Sequence, residues 1–311
     1  MNKVLFAIVL ALAALLFYQM TSTAPDSATQ PRLRRPPAPP KVTLPPVANQ
    51  PLAGANAALP VAAQALRPTS VPGANVHVSG DKRAHQLVMP YKLVHGLIMI
   101  QGDQVVGAPT EPEIPASGSA SLSPLKLWPN GNVPFHIQPS LPQPERVLQA
   151  LAMFDGSNVH FTPYNGEEDA LVFEPGDENC YSYVGRMGGK QPLWISPSCS
   201  APDIAHEVMH ALGFIHEQNR SDRDSALIMH PENIDELFQI NFEKMPSEYM
   251  KVSGLGEFDY QSLMMYPPWM FSKNGQSTMD PQSRDQLIQP SSRPNAGDLE
   301  RINRAYPKGE K

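Results

Sequence analysis

The run His206-Glu207-Val208-Met209-His210-Ala211-Leu212-Gly213-Phe214-Ile215-His216 gathers the residue types that hold and use a metal ion. On a helix, His206 and His210 stand about 40° apart around the axis and about 6 Å along it. Two imidazoles so placed can share one ion, and zinc takes nitrogen ligands at about 2.0–2.1 Å. Ile204, Val208, Ala211 and Leu212 fall on the opposite face, so the same helix can pack on a core. On a continued helix His216 would lie about 15 Å from His206 along the axis, out of reach of that ion. Gly213 offers the way back, because glycine accepts the left-handed conformation that ends a helix. The spacing therefore predicts a zinc site of His206, His210 and His216 that holds one Zn(2+) per chain. Glu207 projects beside that face, where a carboxylate can take a proton from a water activated by the metal.

The continuation Glu217-Gln218-Asn219-Arg220-Ser221-Asp222-Arg223-Asp224 completes the pattern HExxHxxGxxHExxRxDRD. In these residues the chain resembles the astacin branch of the metzincin zinc peptidases. Trp128 to Phe135 resembles the family's opening WxxGxIPY strand, with Phe135 where tyrosine is usual. Cys180 to Arg186 is similar to its CxSxVGR segment. Ser262-Leu263-Met264-Met265-Tyr266 resembles its SxMHY turn, with Met265 in place of histidine, and Asn295 to Tyr306 resembles its closing helix. The likeness runs over about 125–307.

The resemblance implies a mixed α/β fold. A twisted N-terminal sheet with two helices would stand above a less regular C-terminal subdomain, with zinc in the cleft between them. It implies that Glu207 is the base and that Tyr266 stabilises the oxyanion. It also implies that Met264 forms the floor under the zinc, and that Glu217 anchors the new N-terminus after activation. The implied activity is that of a zinc endopeptidase hydrolysing peptide bonds of proteins, made as a zymogen. Two alternatives are a non-catalytic peptide-binding or adhesin module on the same fold and a hydrolase of cell-wall peptides. Arg293 is a candidate cation for the pocket that follows the scissile bond.

Cys180 and Cys199 are an even pair in an exported chain, which suggests a disulfide. Their 19-position separation corresponds to about 3 kcal/mol in the chain-entropy treatment. Between them Leu193-Trp194-Ile195 is expected as an edge strand beside the cleft. Astacin-like domains commonly carry a second, longer bridge; its cysteines are absent here, which implies looser tethering of the closing helix. Leu97-Ile98-Met99-Ile100 and Val105-Val106 flank Gln101-Gly102-Asp103-Gln104, a strand–turn–strand pattern. The same residues resemble the inhibitory FxGD segment of astacin zymogens, with Ile100 where phenylalanine is usual. By that resemblance Asp103 is the inhibitory zinc ligand of the pro-form, with the strand Leu97–Ile100 aligned on the cleft edge.

These elements must sit in an uneven chain. It has 35 prolines in 311 residues, about twice the usual level of about 5%. Of these, 22 precede residue 145, which excludes a single uniform domain and a bundle of long helices. Lys3 followed by the apolar run Val4 to Phe17 reads as a signal peptide over 1–24. Residues 25–75 form a Pro-rich linker, 76–118 a pro-segment with its inhibitory aspartate, and 119–311 the catalytic domain, with the activation cut expected between Ser117 and Ser123. The protein is expected to be secreted or periplasmic, or membrane-anchored through residues 4–20 if the apolar run is kept, and to be a monomer. Residues 119–311 hold 15 Lys and Arg against 25 Asp and Glu. That acidic balance argues against a nucleic-acid partner, and leaves protein or peptide substrates.

Overall fold

The computed structural model of this chain describes residues 88–108, 117–253 and 256–308. The expected signal peptide, the Pro-rich linker and residues 76–87 lie outside the described residues. No helix among the described residues is long and apolar enough to cross a membrane.

Residues 88–121 supply four strands: β1 (Val88–Val94), β2 (Leu97–Ile100), β3 (Gln104–Gly107) and β4 (Ser117–Ser121). The rest of the chain supplies β5 (Asn132–Ile137), β6 (His160–Pro163), β7 (Ala170–Pro175), β8 (Tyr181–Tyr183) and β9 (Lys190–Ile195). Together they form one nine-stranded sheet in the order β4-β1-β2-β3-β8-β9-β7-β5-β6. Ala170 to Phe173 of β7 are buried without interruption. This suits a strand flanked by parallel neighbours, here β5 and β9, because such strands are covered on both faces.

Two expectations about the strands are corrected. Leu193–Ile195 belongs to β9, which lies between β8 and β7 and is not an edge. Strand β8 lies between β9 and β3, and β3 pairs with it in parallel, through Gln104↔Ser182 and Val105↔Tyr183. The strand Leu97–Ile100 pairs with β3 instead. The segment following Asp103 thus continues the sheet beyond β8. The expected boundary between pro-segment and catalytic domain falls inside β4, which is paired antiparallel with β1.

Helices α1 (Glu145–Ala152) and α2 (Ala201–Ala211) pack with the sheet. Val147 and Leu151, Ile204 and Val208, and Leu171, Phe173 and Leu193 share one apolar core with Ile302 of the closing helix α3 (Ala296–Ala305). Between α2 and α3 the chain is mostly short turns, with one small two-stranded ladder of β10 (Leu227–Met229) and β11 (Met279–Pro281). This is the less regular C-terminal half that the resemblance implies.

Without a second disulfide α3 is still tied at both ends. At its start Asp298 accepts from the Ser262 hydroxyl at 2.6 Å and the Leu263 N–H at 2.9 Å. Near its end the Asn303 side chain accepts from the Asn158 N–H at 2.7 Å, and the Tyr306 hydroxyl donates to the Leu212 carbonyl at 2.7 Å. These bonds join both ends of α3 to the rest of the fold.

Candidate active site

Helix α2 begins at Ser200, whose N–H and hydroxyl both donate to Asp203 at 2.7 Å. This ties down the first turn, where a carboxylate is favoured. At the other end Gly213 adopts φ +99°. The Gly213 N–H donates to His210 O at 2.8 Å and the Phe214 N–H to Met209 O at 3.0 Å. These are the paired bonds of a Schellman termination. The chain then turns back and brings His216 to the two helical histidines, as the glycine predicts. The three imidazole rings lie 4.7–5.1 Å apart, centre to centre.

Asp103 completes the cluster. Its carboxylate oxygens lie 3.7 Å from His206 Nε2, 3.5 Å from His210 Nε2 and 3.2 Å from His216 Nε2. Ligands held about 2.0–2.1 Å from a tetrahedral ion are separated by about 3.3–3.4 Å, and these histidine–carboxylate distances bracket that separation. Among the described residues this is the one group of His, Cys, Asp and Glu whose ligand atoms could hold a metal, all within 4.8 Å of one another. Asp103 Oδ1 and His210 Nε2 are buried and have no hydrogen-bond partner. Such orphaned atoms facing one point are what a cation would satisfy. His206 Nδ1 and His210 Nδ1 face the carbonyls of Leu263 at 3.1 Å and Phe214 at 2.8 Å. These contacts fix both rings with Nε2 turned to the centre.

Asp103 arrives on a tight turn. Gln101 and Gly102 both take positive φ, 53° and 100°. A Cβ on Gly102 would stand 2.9 Å from the Asn241 amide nitrogen, and the φ of +100° is one that other residues rarely adopt, so glycine suits the turn.

Burial and charge tune the titrating groups. Burial opposes the ionised form of Asp103, yet the adjoining imidazoles, His216 foremost, hold its carboxyl well below the usual range. Burial pushes His210 down to about 4 and lowers His216, which keeps both neutral and able to ligate. Burial also opposes the charged form of His206, but Asp103 and the Leu263 carbonyl raise its pKa. Glu207 is buried, and desolvation, with the charges of Asp103 and Asp203, raises its pKa well above the usual carboxylate value. Tyr266 is buried, and desolvation raises its hydroxyl pKa well above the usual value, so it remains a donor. Its ring lies 4.6 Å from that of His216.

The cleft around these groups has a volume of about 790 Å³ and is lined by Asp203, Glu207, Phe238, Leu263, Tyr266 and Ser292 among others. Ser291 and Ser292 line it, and Arg293 beside them is not among the lining residues. Met264 is buried in the core shared with Ala205 and Val208, and its carbonyl accepts from the Glu217 N–H at 2.9 Å. The Cys180–Cys199 disulfide is formed, joining the start of β8 to the approach to α2.

Glu217 is brought into the site's support rather than its cleft. In this uncut chain its carboxylate is buried and paired with Arg301 and Arg220. Sequence reasoning missed Arg301, and it missed Gln101 and Gln104, which enter the site beside Asp103. Two glutamines in an otherwise apolar strand–turn–strand are the one signal that pointed to them.

A mixed α/β fold with a three-histidine cluster, a neighbouring glutamate and a tyrosine turn defines a metallopeptidase architecture. The family model Astacin, which describes a family of peptidases, matches residues 121–307, and the chain belongs to that family. It is 34% identical over 196 residues to astacin-like metalloprotease toxin 1 of Loxosceles intermedia, covering 61% of this chain and 72% of the toxin. It is 38% identical over 168 residues to zinc metalloproteinase nas-15 of Caenorhabditis elegans, which is 53% of this chain but 29% of that relative. Among solved structures, high choriolytic enzyme 1, a hatching-enzyme zinc protease of medaka fish, is similar with 30% identity and a TM-score of 0.51. The match covers 58% of this chain and 93% of that one.

Proposed function

We propose that the protein is an exported zinc endopeptidase, made as a zymogen whose own Asp103 closes the metal site. His206, His210 and His216 hold the zinc. The observation that carries this reading is the convergence of these three imidazoles with Asp103, in a cleft that Glu207 also lines. When bound, zinc supplies Lewis acidity and lowers the pKa of a water to about 7.

The chain's own residues do the rest. Glu207 takes the proton of the attacking water and passes it to the leaving amine, as a carboxylate lining the same cleft can. The neutral Tyr266 hydroxyl donates to the oxygen on which charge develops. Met264 supports the histidines from the core. The β8 edge receives the backbone of an extended peptide once β3 has left it.

In the precursor β1, β2 and the turn that follows them line the cleft, and Asp103 takes the position that the water needs. Cutting between Ser117 and Ser123 would free them. Glu217 already carries two arginines, and its anchoring of the new amine belongs to the cut form. The test is a casein or gelatin zymogram of the cut protein, run beside Glu207→Gln, with the metal content of both measured. A zinc-loaded cut protein that cleaves no protein substrate would overturn the reading in favour of a peptide-binding module.

A further inference from the structure

The strand that holds the expected cut is built into the sheet. β4 pairs with β1 through Met89↔Ala120, Pro90↔Ser119 and Tyr91↔Gly118. A Cβ on Gly118 would stand 3.1 Å from the Tyr91 ring, so the two strands fit closely. The strands before the cut are in turn built into the catalytic half. Tyr91, Ile98 and Ile100, each at most 1% exposed, share one apolar cluster with Val184, Ile215 and Met245. Leu97, Met99 and Val105 pack instead with Tyr181 and Tyr183 of β8. Successive residues of β2 thus enter two cores, one on each face of the sheet, and the catalytic half contributes to both.

Polar contacts add to this. β3 is paired with β8, and the Ser182 N–H donates to the Asp103 carbonyl at 3.1 Å. Gln101 Nε2 donates to the Glu243 carbonyl at 2.9 Å. None of these contacts involves residues 117–123, so a cut there leaves each of them in place.

We infer that strands β1 to β3 stay on the catalytic half after the cut, as a separate inhibitory chain, and that latency ends when this chain dissociates or is digested. This rests on the zymogen reading above and adds a step to it: the cut frees the strands from the chain, not from the cleft. Departure would put apolar side chains of both pieces into water, which the hydrophobic effect opposes. It would also leave backbone groups of β8 without partners. What the cut changes is molecularity. Before it the strands belong to the chain they cover; after it their rebinding depends on concentration. The partner that the catalytic half accepts is defined by chemistry. It offers a strand to β8, an apolar face to Val184, Ile215 and Met245, and a carboxylate to the three histidines.

The test uses the full-length chain with Glu207→Gln, so that the protein cannot digest itself. A recognition sequence for a site-specific protease is inserted after Gly118, which is exposed, or in a second version after Ser123, which leaves β4 whole. After cutting, the protein is run on a size-exclusion column in native buffer and the fractions are read by mass spectrometry. The N-terminal piece should elute with the catalytic piece. Its elution alone from the version with β4 whole would overturn the inference. Asp103→Ala should leave the piece bound, because the strands carry the docking; release by that change would overturn the inference in favour of the carboxylate alone. Ile98→Asp puts a charge into the shared cluster and should weaken binding by at least about 30-fold, the scale of losing an interface anchor. Undiminished retention of the Ile98→Asp piece would overturn the inference by marking the co-elution as non-specific. An uncut parent chain that already digests casein would instead refute the zymogen reading, so the two failures are separable.

Discussion

The Tyr266 hydroxyl donates to the backbone carbonyl of Gln101 at 3.0 Å. The side chain proposed to donate to the developing oxyanion thus has its proton engaged by the pro-segment in the uncut chain. The same turn that places Asp103 among the histidines holds the tyrosine, so Gln101 and Asp103 engage both groups that the proposed mechanism uses.

Tyr266→Phe keeps the ring against His216, Phe242 and Phe271 and removes the hydroxyl. In the cut protein kcat should fall by about 10²–10³, the usual effect of losing one oxyanion donor. KM should move little, because the contact strengthens only in the transition state. Steady-state kinetics on a peptide substrate decide it, and near-normal kcat would make Tyr266 a packing residue.

Asp103→Ala opens the corner that the water needs and leaves β3 paired to β8. The full-length precursor should then show activity before any cut and should mature faster. The isolated cut protein should be unaffected, since it has lost the residue. Asp103→Ala combined with Glu207→Gln controls for contaminating proteases. A precursor as silent as the parent would assign latency to strand coverage alone.

Glu207→Gln separates metal binding from proton transfer. Glu207 is buried beside the cluster, but it is not one of the four groups whose ligand atoms converge. Zinc content by mass spectrometry should stay near that of the parent, while proteolysis falls by about 10²–10⁴ for loss of a general base. A chelator should silence the parent and zinc should restore it. Loss of zinc from Glu207→Gln would show that the glutamate serves the metal instead.

The histidine cluster was legible because its geometry is local. A 3.6-residue period and one glycine place His206, His210 and His216, and no distant element has to be known. Asp103 was legible as a turn, and its meeting with the histidines came from resemblance. The pairing of β3 with β8 was not legible, since Leu97–Ile100 and Val105–Val106 are equally apolar and either could have taken the edge. The central place of β9 was missed for a related reason. A short apolar strand looks the same at an edge as in the middle of a sheet. Arg301 and Gln104 act through contacts spanning 84 and 112 positions of sequence, which no local pattern encodes.

The pair of Glu217 and Arg301 carries the last prediction. Both are buried, and Glu217 also faces Arg220 at 3.4 Å and accepts from the Asp259 N–H at 3.1 Å. Arg301 further donates to the Glu257 carbonyl at 2.6 Å. Burial alone raises the Glu217 pKa, and the charge of Arg301 is the largest influence opposing that rise. Arg301→Met keeps the length of the side chain and strips that charge. The cost should be about 3 kcal/mol, the low end for breaking a buried ion pair, because Arg220 remains. The sign with pH follows. Without Arg301 the folded-state pKa of Glu217 moves further above its unfolded value, so the folded protein binds more protons. Stability is then retained below the unfolded value and lost as pH rises through the folded one. Urea unfolding of Arg301→Met should accordingly show a larger deficit at pH 8 than at pH 5. Adding Glu217→Gln should recover part of it, since removing both charges costs less than stranding one. A deficit below about 1 kcal/mol, the level of a surface pair, and flat with pH would mean that Arg220 alone holds Glu217.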